Sequence, residues 1–178
     1  MSERIGAEIW IGGQLKREQV EAFCAAISGQ HVQLEFGGGY VTPETAEHLQ
    51  EAIEELNGTP VLYFCDEMAS WGEFSELEAW LEEHGVPYTR GTSSSDCYDG
   101  ELVEFRPGRE LVTLPTNANS QPIANIETVE RGWFLLKEAQ QLLDSGKNAR
   151  PVISIAIDEL ARVLPPELPP LPPFEIVA

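Results

Sequence analysis

The sequence predicts an α+β protein, a two-layer sandwich in which a mixed sheet of about five or six strands carries its helices mainly on one face. Three observations predict it. Strand-like and helix-like periodicities alternate twice between Ala7 and Arg90. Within the candidate strands apolar residues alternate with polar ones: Ile9 and Ile11 oppose Glu8 and Trp10, and Val32, Leu34 and Phe36 oppose Gln33 and Glu35. A sheet covered by helices on both sides would read as apolar throughout, so one face is expected to stay partly wet. Turn signals at Asp99-Gly100 and Pro107-Gly108 then announce an antiparallel meander. Ferredoxin-like units followed by that meander are the specific expectation.

In order, AEIWIGG (7–13) reads as a strand, and QLKREQVEAFCAAIS (14–28) as a helix with Val20, Phe23, Cys24 and Ile27 on one face. HVQLEF (31–36) returns as a strand. In the next segment Thr42 is placed to cap a helix, Pro43 to occupy its first position and Asn57-Gly58 to stop it. PVLYFC (60–65) is a short apolar strand, EFSELEAWLEEHG (73–85) a helix closed by Gly85, and VPYTR (86–90) a strand. Around Asp99-Gly100 the expected hairpin arms are Ser94 to Tyr98 and Glu101 to Arg106, and Pro107-Gly108 turns into ELVTLP. Residues 123–146 read as the longest helix despite Gly132. The chain is therefore expected to form one domain over 1–150, with 151–178 as an extension that starts in a β-branched run and ends in a proline-rich, polyproline II arm. That arm is expected to pack on its own domain through Leu168, Leu171, Phe174 and Ile176, or to contact a second copy as a homodimer.

Composition excludes several classes. No basic, apolar signal peptide opens MSERIGAEIW and no apolar run approaches the roughly 18 residues of a membrane span, which predicts a cytoplasmic protein. Cys24, Cys65 and Cys97 lie far apart with no CxxC pair, so they read as reduced thiols. The 178 residues hold 30 acids against 11 bases, a formal net charge of −19. From Glu18 through Thr89 there is no Lys or Arg. Such a field disfavours direct nucleic-acid binding and anionic membranes, and favours a basic protein partner.

Few motifs point to chemistry, and neither a metal nor a cofactor is expected. In FCDEMASWGEF (64–74), Ser70 to Glu73 form an S-x-x-E capping box with Ala69 and Phe74 as its staple, and Asp66 and Glu67 lie just before a helix start. Cys65, Asp66 and Glu67 are the weak catalytic candidates. Against them, adjacent strand residues face opposite ways and two carboxylates raise the pKa of a neighbouring thiol. Asp96, Asp99 and Glu101 are too few for a calcium loop, and FGGGY lacks the lysine of a phosphate loop.

The acids themselves are harder to explain. Read as one helix, 43–57 aligns Glu44, Glu47, Glu51 and Glu54 in a stripe, with Glu55 beside it; the next helix carries Glu76, Glu78, Glu82 and Glu83. Acids in last turns and like-charge pairs four apart would cost on the order of 2–5 kcal/mol in total at low salt. Solubility, adaptation to high salt and a docking surface each account for them. The functional expectation is a non-enzymatic acidic protein that binds a basic protein surface through these nine glutamates, its most concrete form a nucleic-acid-mimicking inhibitor of a DNA- or RNA-binding protein. The alternative is a small enzyme or ligand-binding domain using the end of strand 60–65 or the open sheet face.

Overall fold

The computed structural model describes residues 3–94, 99–162 and 168–178; Asp96, Cys97 and the rest of the expected hairpin arm from Ser95 to Tyr98 lie outside the described residues. These divide into two compact units, Met1–Gln121 with Leu168–Ala178, and Pro122–Glu167.

The first unit begins with strand β1 (Arg4–Ile11), short strand β2 (Gln14–Lys16), a 3-10 turn over Arg17–Gln19 and helix α1 (Val20–Ser28). Short helix α2 (Ala46–Gln50) leads to strands β3 (Ile53–Leu56) and β4 (Thr59–Ser70). Helix α3 (Ser75–His84) and strands β5 (Tyr88–Thr92), β6 (Gly100–Phe105) and β7 (Val112–Thr116) follow. The main sheet runs β3-β4-β1-β5-β6-β7, with every ladder antiparallel. In chain order its first four strands and their two crossover helices follow the split βαβ pattern expected from the sequence, and β6 and β7 add the meander. Ile9, Ile11 and Phe64 from the sheet join Phe23, Ile27, Leu77 and Leu81 from α1 and α3 in one buried cluster. Glu8, Trp10 and Tyr63 on the other face stay half-buried, as the alternation requires.

Several elements differ from the sequence reading. Residues 31–36 form no strand; Gln33 alone bridges to Cys65 and Tyr40, extending the sheet edge beyond the short β3. The expected helix over 43–57 shrinks to α2, capped by Thr45, whose hydroxyl accepts from the His48 N–H, and not by Thr42. Asn57 and Gly58 both adopt positive φ, 54° and 80°, and close the β3–β4 hairpin as a tight turn. Asn-Gly is the residue pair such a turn selects, because only residues tolerant of the left-handed region fit it. Putting Glu54 and Glu55 on a strand also removes the last-turn repulsion that a helix here would have imposed.

The stretch around Cys65 changes in the same way. β4 continues to Ser70, so Asp66 and Glu67 are mid-strand residues and not a helix lead-in. Trp71 and Gly72, at φ 59° and 69°, make a second tight turn that bridges Ser70 to Glu73. That turn consumes the capping-box residues. Phe74 occupies the N-cap of α3, and its N–H is accepted by the Glu78 carboxylate at 2.8 Å. Gly85 closes α3 in the left-handed conformation, as read from the sequence.

The second unit pairs helix α4 (Ile126–Asp144), capped by Asn125, with helix α5 (Arg150–Ala161). The β-branched run after residue 150 is thus helical. Pro151 sits in the first turn, where its missing N–H costs nothing, and α4 supplies a packing partner that outweighs β-propensity.

The C-terminal strand β8 (Glu175–Val177) returns to the first unit and pairs parallel with β2. Leu171 and Phe174 are buried there and Ile176 packs on the core, so the arm lies along its own domain. The Pro172 carbonyl oxygen lies against Gly12, where any Cβ would collide with it. Replacing Gly12 with Val is expected to displace the arm and cost about 1–3 kcal/mol. Urea unfolding measures the loss, and limited proteolysis shows new cleavage near residue 170 in the variant.

Candidate functional site

Of the weak catalytic candidates, Cys65 and Asp66 hydrogen-bond to the backbone of the fold. The Cys65 side chain is fully buried, its S–H donates to the Gln33 carbonyl at 3.6 Å, and burial pushes its pKa up. A thiol held protonated is a poor nucleophile. Asp66 lies at a register shift between β1 and β4, where its Oδ1 accepts the Met68 N–H at 2.8 Å. Arg4 Nη1 donates to the Met68 carbonyl at 2.9 Å, so two side chains satisfy the backbone that the bulge leaves unpaired. Glu67 is exposed while Asp66 is buried, which sets the two carboxylates on different sides of the strand. Beside them lies a cavity of about 320 Å³ lined by Arg4, His31, Tyr40, Asp66 and Met68. A larger one, about 670 Å³, sits under the arm between Pro87, Pro169 and Pro172, with Arg106 and Arg109 in its wall. Arg106 is spent on structure, since it donates to the carbonyls of Tyr88, Phe105 and Pro169 and to Thr89 Oγ1.

The acidic candidates separate into two groups. Glu44, Glu47, Glu51, Glu54 and Glu55 are all exposed, spread over the lead-in to α2, α2 itself and the edge strand β3. They form no helical stripe, because the chain leaves the helix at Gln50. The Glu47 carboxyl sits below its ordinary range, held by its own backbone N–H and the Thr45 hydroxyl, with Arg17 contributing. Glu76 and Glu83 are exposed on α3. Among the described residues none of these seven forms an ion pair.

Glu78 turns inward instead, and Glu82, though exposed, accepts from a buried tyrosine. Arg90 is buried on the helix side of β5, its Nε 3.0 Å from Glu78 Oε1 without hydrogen-bond alignment. Its Nη1 donates to the Gly72 carbonyl and its Nη2 to Glu101 Oε2, both at 2.8 Å. The Tyr88 hydroxyl donates to Glu82 Oε1 at 2.8 Å and reaches Glu78 Oε2 at 3.3 Å. Burial raises the Glu78 pKa above the usual carboxylate range, with Arg90 opposing the shift. This network was missed in the sequence, although one signal for it existed: Arg90 ends the long base-free run, on the strand face it shares with Tyr88.

No family model, no curated protein and no solved structure matches the chain.

Removing the cation from the buried pair should be costly. Arg90→Met leaves Glu78 without its partner and is expected to lose about 3–5 kcal/mol near neutral pH. Because a carboxyl with a raised folded pKa contributes stability at low pH that is lost as pH rises through that pKa, the deficit should shrink on acidification. Adding Glu78→Leu should recover much of it. Chemical denaturation of the single and double variants from pH 4 to 7.5 measures both effects.

Proposed function

We propose that this protein is a non-enzymatic interaction protein whose first unit binds a basic segment of a partner protein. The observation that supports this reading is the set of exposed glutamates from Glu44 to Glu55, which lack cationic neighbours within ion-pair distance among the described residues. Field strength from unpaired like charges is relieved when an opposite charge arrives, so such a surface gains on association what it loses in isolation. Glu54 and Glu55 lie on β3, the last strand of the sheet order. Charged residues on an edge strand discourage pairing with apolar or acidic strands, while leaving a Lys- or Arg-bearing extended segment favoured. The phosphate-mimicking form of this reading assigns the partner to the nucleic-acid-binding proteins.

The enzyme alternative has less support, since Cys65 is protonated and buried and Asp66 is engaged with the backbone. Binding is tested with the immobilised full chain. A partner captured at about 50 mM salt should elute at about 0.5 M, where the Debye length falls below about 5 Å. With that partner purified, reversing Glu47, Glu51, Glu54 and Glu55 to Lys should weaken affinity at least about tenfold while the far-UV spectrum is kept. Undiminished binding sinks the proposal. Competition by duplex DNA for the same partner supports the phosphate-mimicking form, and its absence restricts the reading to a basic protein segment.

A further inference from the structure

Among its described residues the second unit has no core of large side chains. Its buried residues are Gly132, Ala139, Ala149, Ala156 and Glu159; none of its described Val, Ile, Leu, Phe or Trp side chains is buried. Trp133 and Phe134 are 57% and 66% exposed, and Ile126, Leu143, Ile155 and Ile157 are exposed by half or more. Within the unit the Lys137 ammonium lies 5.3 Å from the Trp133 ring centroid and 6.0 Å from that of Phe134. An amphipathic hairpin this short leaves its apolar surface in water unless a further layer covers it.

We propose that the α4–α5 hairpin is a self-association surface, which pairs with the same hairpin of a second copy of this chain to close a four-helix bundle. Charge selects that occupant. The first unit holds 23 of the 30 acids and six of the 11 bases, whereas the hairpin unit holds seven acids and five bases. Two copies therefore repel strongly through their first units and barely through their hairpins, and the basic partner proposed above finds little field to attract it here. Area agrees. With roughly 150–250 Å² for each whole aromatic side chain, Trp133 and Phe134 at these exposures offer on the order of 250 Å² per copy. Ile126, on the α4 face that carries Trp133 and Phe134, and one of Ile155 and Ile157, which stand about 200° apart on α5, extend this toward the roughly 800 Å² per partner of a standard interface. A two-fold pairing sets the same patch against itself, so no second complementary surface has to exist.

Sedimentation velocity and light scattering of the full chain, in about 0.3 M salt to screen the first units, test this. The expected mass is twice the 19.7 kDa of one chain at micromolar concentrations. Trp133→Gln with Phe134→Gln should return the monomer mass and raise the dissociation constant at least about a hundredfold. Both sites are exposed and glutamine is the better helix former, so retained helicity by circular dichroism separates lost pairing from lost folding. A wild-type chain that stays monomeric at about 100 μM overturns the proposal, whether the patch is then covered by the first unit or by a different protein. A dimer that survives the double substitution overturns it as well. Because an apolar contact persists at high salt while charge-driven capture does not, failure of this proposal and failure of the basic-partner reading are separable.

Discussion

The guanidinium of Arg90 is the interaction on which the sheet and its helix layer depend. From one position on β5 it meets Glu78 on α3, Glu101 on β6 and the carbonyl of Gly72 in the turn that precedes α3. A buried cation is expensive to desolvate, so this arrangement holds only while every partner stays in place. The consequence is specificity more than net stability. α3 cannot slide along the sheet without stranding the charge, and the Trp71-Gly72 turn is drawn to the same point. Glu78, which faces both Arg90 and Tyr88, is thereby withdrawn from the surface.

Periodicity carried most of the first unit. The faces of β1, the buried side of α1, the closure of α3 at Gly85 and the β6–β7 meander all follow from local pattern, because burial on one side imposes it directly. What escaped was decided by partners distant in sequence. Residues 14–16 look like the start of a helix, but Leu15 is buried where β8 pairs alongside β2. The run after Pro151 looks like a strand until α4 lies against it. Asn57-Gly58 was legible in two ways, as a helix stop or as a hairpin turn, and the hairpin prevails because it lets Thr59 to Ser70 join a long central strand. At the candidate site, exposure of the acids at 44–55 followed from composition. The inward turn of Glu78 and the engagement of Glu82 by Tyr88 required knowing that Arg90 and Tyr88 point at α3, which no spacing within α3 reveals.

The distribution of charge follows the same division of labour. In the first unit the described ion pairs are concentrated around Arg90 and Arg106, where burial raises their worth, and the glutamates from Glu44 to Glu55 are left to solvent. The hairpin unit pairs its own charges, with Glu159 near Arg131 and Arg162. A repelling surface and a nearly neutral one on a single chain separate the two kinds of association by their response to ionic strength.

The parallel pairing of β8 with β2 has a consequence for synthesis. Phe174 stacks against Phe23 of α1, with ring centroids 6.4 Å apart, and its N–H is accepted by the Pro60 carbonyl. A chain emerging from the ribosome N-terminus first can assemble β1 to β7 long before Phe174 leaves the exit tunnel. Until then the nascent sandwich carries an open slot over Phe23 and Leu15. The α4–α5 hairpin, whose contacts are local, closes during that wait. Residues made well after β1 to β7 are thus the ones that seal the first unit, and a chain cut short before Phe174 is left with its seam undone.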